Sequence, residues 1–269
     1  IAQQCSSTAL SPRASTSPSM RTCSWQRRRA KPPRERIKGR KDMKLSVTAW
    51  SFPQLTLAEV GGIAATLGLD GVDVGLFYAS ALDKSRIISD AERYGAEVAA
   101  TVKLPVANYY HLFGADLSDR NLAAVPANPE NLADLKSVLA FAKAAGTPSI
   151  FVLPGLINPG QSRRQALDNS VEALKPLVEA GERAGVAVTV EPHVHGLVES
   201  VDMAAELVSR VPALKLTLDL AHFVSMGYRQ EEIETLAPHA GHVHLRQATQ
   251  GKLQAKLEEG TINFPSLSA

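Results

Sequence analysis

Short runs of β-branched and aliphatic residues alternate with segments of helical apolar spacing from residue 43 onward. These runs predict seven strands, at residues 44–50, 71–77, 97–104, 149–153, 186–192, 214–220 and 242–246. Two of the helical segments end near Gly146 and Gly185, where glycine is the usual cap of a helix C-terminus. Alternation of strand and helix with short connections predicts parallel strands joined by right-handed crossovers.

The spacing of the predicted strands favours a closed barrel. Most of them are centred about 27 residues apart, which is typical of a (β/α)8-type TIM barrel and not of a doubly wound α/β sheet. One interval is about twice as long, and its residues 105–129 are expected to form an insertion over the active face, as a lid or a pocket wall. Residues 260–267 resemble the start of a seventh helix, so the eighth strand and its flanking helices are expected to be missing from this sequence.

In each of the last three predicted strands, polar residues occupy alternate positions. Side chains alternate between the two faces of a strand, so valines and leucines share one face of each and polar residues share the other. The aliphatic face is expected to pack against outer helices and the polar face to line the barrel interior. Glu191, Asp219 and His244 lie at the carboxyl ends of their strands, so we expect them to converge on the catalytic rim.

Two carboxylates and an imidazole are suited to a divalent cation such as Mn²⁺, Co²⁺, Mg²⁺ or Zn²⁺. Glu191, Asp219 and His244 are therefore the candidate metal ligands. A single buried acid at a strand end is more often a structural ion-pair partner. Three such groups in the same phase on consecutive strands favour the metal site, because buried unpaired carboxylates are costly and a cation offsets that cost.

Three sequence motifs carry a resemblance to a known family. Residues 188–193 read VTVEPH, residues 218–222 read LDLAH and residues 242–246 read HVHLR. Over residues 43–269 the sequence resembles the xylose isomerase-like barrel superfamily, the sugar phosphate isomerase/epimerase group. The resemblance implies that Glu191 is both ligand and acid/base and that Asp219 and His244 are ligands. It also implies a fourth ligand, a glutamate on the eighth strand, and an acidic residue where this sequence has Gln247.

The resemblance and the strand phase together predict roles for several further polar residues. Glu191 and His222 are the predicted catalytic residues, with His222 contacting a carbonyl or hydroxyl of the sugar or, alternatively, hydrogen-bonding a carboxylate. His193 is a predicted substrate contact or a solvated rim histidine. Arg246 is predicted to bind a phosphate or hydroxyl of the substrate or to pair with a nearby acid. His242, one layer below His244, is expected to be a hydrogen-bonded core histidine.

The implied function is a metal-dependent isomerase or epimerase that moves a proton beside the carbonyl of a sugar or related compound through an enediolate. A metal-dependent dehydratase of a cyclic polyol is the closest alternative. A truncated, catalytically inactive barrel is another. An endonuclease of the same superfamily is disfavoured, because it needs several more histidines than this sequence offers.

Charge is divided unevenly along the chain. Residues 1–42 hold eleven basic and two acidic residues, whereas the rest holds 18 basic and 25 acidic residues. The Ser/Arg-rich segment is expected to be a disordered tail, with a transit peptide or nucleic-acid arm as alternatives to a non-native start. The acidic body argues against a nucleic-acid partner, since phosphate binding relies on Lys and Arg.

Composition narrows the cellular setting. The only cysteines, Cys5 and Cys23, lie in the tail, which excludes a disulfide framework in the body and favours a reducing, cytoplasmic location. No run of about 18 apolar residues predicts a membrane span. The expected partner is a small sugar substrate, and a homo-oligomer is compatible with the sequence.

Overall fold

The computed structural model describes residues 43–77 and 81–268, so the predicted tail at residues 1–42 lies outside the described part. The described residues contain seven β-strands: β1 (Ser46–Thr48), β2 (Gly71–Gly75), β3 (Val106–Tyr110), β4 (Ser149–Val152), β5 (Ala187–Val190), β6 (Lys215–Asp219) and β7 (Ala240–His244). All neighbouring pairs are parallel, and the strands follow one another in chain order. The predicted TIM-barrel architecture with seven strands is therefore confirmed.

Helices connect these strands along the outside of the sheet. They are α1 (Leu57–Leu67), α2 (Lys84–Ser89), α3 (Ala91–Val102), α4 (Asn128–Ala144), α5 (Arg163–Ala184), α6 (Val201–Arg210), α7 (Leu220–Ser225) and α8 (Gln230–Glu234). The longest, α5, begins with a capping box in which Ser162 and Gln165 satisfy each other's backbone N–H groups. It ends at Gly185 in the left-handed conformation, as the sequence predicts.

The third predicted strand is wrong. Residues 97–104 belong mainly to helix α3, and the strand β3 lies at Val106–Tyr110. Tyr94, Val98 and Val102 recur every four residues and form the buried stripe of α3, which is the helical period and not the alternation of a strand. The predicted insertion at residues 105–129 therefore consists of β3 and the loop that follows it.

Buried aliphatic residues separate the strands from the helices. Val188 and Val190 of β5 and Leu216 and Leu218 of β6 are at most 3% exposed, as their alternation predicts. The same alternation fails at the last predicted strand, because Val243 of β7 and Leu245 directly after it are 41% and 47% exposed. Within the described chain, residues 245–263 contain no helix that could cover this face.

The sheet curls until side chains of its last strand and of its first two strands form one chain of contacts in the interior. His242 Nε2 of β7 lies 2.9 Å from Asp73 Oδ2 of β2, and Ser46 Oγ of β1 donates to Asp73 Oδ1 at 2.8 Å. In the described residues, β1 and β7 have no backbone pairing to each other. Side-chain contacts across the interior therefore connect the two edges.

None of the helices in the described part is long and apolar enough to cross a membrane.

Candidate active site

The carboxyl ends of β5, β6 and β7 bring two acids and a histidine together. Glu191 follows β5 and is 5% exposed, while Asp219 ends β6 and is 2% exposed. His244 ends β7, and its Nδ1 lies 2.6 Å from Glu191 Oε1. The three predicted metal ligands thus share one buried cluster, as parallel neighbouring strands of equal phase require.

Asp219 also shapes the chain that follows it. Its Oδ1 accepts from the backbone N–H of Ala221 at 2.9 Å, which caps the short helix α7. This cap starts α7 immediately at the rim and turns His222 back over the carboxylate. His222 is 1% exposed, and its Nε2 lies 3.8 Å from Asp219 Oδ2.

His222 and His244 fall into two different groups of possible ligands. One ligand atom each of Glu191, Asp219 and His222 lies within 4.8 Å of the others, and all three residues are buried. His244 falls instead into a second group of the same size with Asp73 and His242. Its Nε2 is buried and has no hydrogen-bond partner among the described residues.

Arg246 provides positive charge beside this cluster. Its guanidinium donates to Asp219 Oδ2 at 2.9 Å and lies 2.8 Å from His222 Nε2. Of the two roles expected for Arg246, the ion pair is the one present in this structure. The guanidinium therefore supplies part of the positive charge that two buried carboxylates require.

His193 lies against the other side of His222. The two ring centroids are 3.9 Å apart, and His193 Nδ1 is 2.6 Å from the carbonyl oxygen of Val194. The backbone N–H of Val194 donates to His222 Nδ1 at 3.2 Å. His193 is half-buried, so it can contact both the cluster and a molecule bound above it.

Burial dominates the electrostatics of the cluster. It raises the pKa of the Asp219 carboxyl, although the Arg246 charge acts in the opposite direction. It lowers the pKa of His222 far below its usual value, and the neighbouring His193 and Arg246 lower it further. Burial also opposes protonation of His244, but the charge and hydrogen bond of Glu191 outweigh it and raise the pKa of His244.

Aromatic rings form one wall beside His244. The rings of Trp50 and Phe151 meet His244 edge-on, at centroid distances of 5.9 and 5.2 Å. Phe77 stacks against Trp50 at 6.0 Å. Trp50 and Phe77 end two of the predicted strands, and both lie at the rim between the core and the cluster.

The layer below the cluster agrees only partly with the sequence pattern. His242 is a hydrogen-bonded histidine, as expected, but the strand-phase argument does not identify its partner Asp73. A signal for Asp73 is present, since it is the single charged residue within the otherwise apolar strand β2. Deeper still, the hydroxyl groups of Thr189 and Thr217 lie 2.7 Å apart and fully buried.

His111 is a second buried histidine outside the cluster. It follows β3, and its Nδ1 lies 2.8 Å from the hydroxyl oxygen of Tyr109. Burial, together with the charges of Lys84 and Arg120, lowers the pKa of His111 to about 3. The sequence pattern alone does not single out His111, because its burial depends on loops that are distant along the chain.

A seven-stranded parallel barrel with acids and histidines at the strand ends defines a TIM-barrel protein whose site lies on the carboxyl-terminal face. The sequence profile of the xylose isomerase-like TIM barrel family matches residues 62–269. The chain therefore belongs to that family, as its motifs indicated. No curated protein sequence matches the chain.

Solved structures with several different activities resemble the fold. The probable 3-DHS dehydratase AsbF from Bacillus anthracis matches with 17% identity and a TM-score of 0.63, over 84% of this chain and 87% of that chain. An AP endonuclease of family 2 from Brucella melitensis matches with 20% identity and a TM-score of 0.65, over 83% and 86%. The 3-keto-D-glucoside 4-epimerase YcjR from E. coli matches with 15% identity and a TM-score of 0.61, over 84% and 86%. At these identities the likeness extends to the fold alone.

Proposed function

We propose that this protein is a divalent-metal-dependent isomerase or epimerase that acts on a sugar or a related hydroxy-carbonyl compound. The observation that carries the proposal is the pair of buried carboxylates, Glu191 and Asp219, held beside two histidines at the rim of the barrel. Family membership makes an enzyme of this kind plausible. Strand geometry selects these residues over the many exposed acids of the chain.

The donor set suits a divalent cation. Glu191, Asp219 and His244 offer oxygen and nitrogen atoms, which Mn²⁺, Co²⁺, Mg²⁺ and Zn²⁺ accept in different proportions. The raised pKa of Asp219 indicates that the positive charge of Arg246 beside it does not fully offset the cost of burying the ionised carboxylate. Glu191 and Asp219 would hold the cation together with His244, the ligand that the resemblance implies, or with His222, which has a ligand atom within 4.8 Å of theirs. The cation would supply Lewis-acid stabilisation of negative charge that develops on the substrate oxygens.

The protein's own residues would divide the remaining work. Glu191 is the base that removes a proton from the carbon beside the carbonyl and returns it to the product. His222 is held neutral by burial, so it would contact a substrate oxygen without adding charge to the site. The rings of Trp50 and Phe151 keep water away from this side of the cluster.

Arg246 and His193 would position the substrate. The Arg246 guanidinium keeps donors beyond those that it gives to Asp219 and His222, so it can also bind a hydroxyl or phosphate oxygen. His193 lies over the ring of His222 and closes the opposite side of the site. The two residues therefore fix the substrate from two directions.

Solvent exchange tests the proposal even while the sugar is unidentified. A panel of ketoses and aldoses is incubated in D₂O with the protein and Mn²⁺, Co²⁺, Mg²⁺ or Zn²⁺, and proton NMR follows deuterium uptake beside the carbonyl. We expect uptake into at least one substrate and a loss of about 10²- to 10⁴-fold in the Glu191→Gln variant. Glu258→Gln, which changes an exposed glutamate in the same way, is the matched control and is expected to retain the rate.

Other outcomes would redirect the assignment. No exchange into any compound of the panel would refute the isomerase proposal. Loss of water from a polyol in the same spectra would indicate a dehydratase. Absence of a stoichiometric cation by mass spectrometry would favour a barrel without catalysis.

A further inference from the structure

A cavity of about 170 Å³ lies beside the candidate active site, among the loops that follow β3, β4 and β5. Its lining is mainly apolar and includes Leu112, Phe113, Leu117, Leu122, Leu153 and Leu156. A protein cavity of about 150 Å³ with such walls stays dry and admits benzene. This cavity therefore has room for one aromatic ring or a branched alkyl group of similar size.

Two residues connect the cavity with the site. His193 lines the cavity and also lies against His222, with ring centroids 3.9 Å apart. Tyr110 lines it as well and stacks on Phe151 at 4.8 Å, and Phe151 in turn contacts His244. A molecule that fills the cavity is thus separated from His222 by the side chain of His193, and from the predicted ligand His244 by those of Tyr110 and Phe151.

Two polar residues of the lining, Arg120 and Asn121, already have hydrogen-bond partners. The Arg120 guanidinium donates to Glu130 and Asp134 at 2.6 Å each and to Asn131 at 3.0 Å. The Asn121 side-chain oxygen accepts from two backbone N–H groups, and its nitrogen donates to Ser118 and Asn158. Neither side chain is available for a phosphate or carboxylate, and the exposed carboxylate of Asp119 in the same lining repels an anion, so an anionic occupant is disfavoured.

His111 adds no charge to the lining. Burial keeps its imidazole neutral, with a pKa of about 3. Its Nδ1 lies 2.8 Å from the hydroxyl oxygen of Tyr109, and its Nε2 is buried, so neither ring nitrogen is open to the cavity.

We propose that the cavity is a substrate subsite for a neutral apolar substituent of about the size of a phenyl ring. The substrate would then be a hydroxy-carbonyl sugar joined to an aryl or branched alkyl group and not a free sugar. The assignment of this substrate class rests on the proposed function, whereas the existence of the cavity site does not.

Binding of small probes tests the cavity itself. Toluene and benzyl alcohol are titrated into the metal-free protein and followed by saturation-transfer NMR. Leu156→Trp fills the cavity, and Leu257→Trp places the same bulk at a position that is 71% exposed and outside the lining. We expect both probes to bind wild type and Leu257→Trp and neither to bind Leu156→Trp.

A second filling variant keeps the test decisive. If Leu156→Trp does not fold, Leu117→Trp replaces it, because Leu117 is 47% exposed and tolerates bulk more easily. No binding to wild type, or binding that survives a folded filling variant, would overturn the subsite.

Substituted ketoses test the substrate class. Binding of 1-O-benzyl- and 6-O-benzyl-D-fructose is compared with D-fructose in the presence of Mn²⁺. We expect one benzyl ketose to bind at least about tenfold more tightly than D-fructose, because the ring leaves water on entering the cavity. Leu156→Trp should abolish this preference.

Equal binding of the three ketoses would refute the assigned substrate class. Binding and not turnover is measured, so a failure of the proposed isomerase activity would appear separately, as absent deuterium exchange.

Discussion

Burial of His111 makes the stability of the fold depend on pH in a defined window. The pKa of His111 falls from about 6.5 to about 3 on folding, because its ring is removed from water and lies near Lys84 and Arg120. Between these two values the unfolded chain binds a proton that the folded chain excludes. Stability from His111 is therefore complete above about pH 6.5 and falls as the pH is lowered toward 3.

The size of the effect follows from the linkage relation. Each pH unit within the window costs about 1.36 kcal/mol. Since pH 5 lies about 1.5 pH units below the unfolded pKa, wild type should lose about 2 kcal/mol from this group between pH 7.5 and pH 5. His111→Gln keeps an acceptor for the Tyr109 hydroxyl but cannot be protonated.

Urea unfolding monitored by circular dichroism at pH 7.5 and pH 5 measures the difference. We expect the free energy of unfolding of wild type to fall by about 2 kcal/mol more than that of His111→Gln. His195→Asn replaces an exposed histidine with a residue that tolerates its left-handed φ of 61°, and it is expected to behave as wild type. Parallel pH dependence of wild type and His111→Gln would refute the argument, since it would mean that the folded protein protonates His111 freely.

Two further predictions concern packing. Gly61→Ala should destabilise the fold by about 1–3 kcal/mol, because the new Cβ would overlap the carbonyl oxygen of Val102. At the exposed Gly62 a new Cβ meets nothing within 4 Å, so Gly62→Ala should stabilise α1 by up to about 1 kcal/mol. Thermal unfolding compares the pair, and equal shifts would contradict the close approach of α1 and α3. Thr189→Val should cost about 1–3 kcal/mol in urea unfolding, since it removes the hydroxyl that faces Thr217 in the interior, and an unchanged midpoint would show that the pair contributes nothing.

Strand phase allows much of the site to be predicted. It places Glu191, Asp219 and His244 together because a period of two fixes which side chains share a face and because consecutive parallel strands are neighbours. The family motifs then add roles for these same residues. The contact between His244 and Glu191 at 2.6 Å agrees with that placement.

The same reasoning fails where local pattern and packing differ. Residues 97–104 contain β-branched residues, which favour a strand, but Val98 and Val102 pack as one stripe of a helix against its neighbours. Val243 of β7 and Leu245, directly after β7, lie at alternate positions and yet remain half-exposed. In both places the residues packed around the segment decide its structure or its burial, and a short stretch of sequence does not include those residues.

The sequence by itself determined the order of strands, the parallel barrel and the three polar strand ends, because these depend on local periodicity and on chain order. Only the tertiary structure decided which polar groups meet. Asp73 reaches His242 across 169 positions of sequence, Arg246 turns to Asp219, and His111 is enclosed by three loops. Such contacts depend on the curvature of the sheet and the packing of the loops. Many distant segments determine these together, so no single segment encodes the contacts.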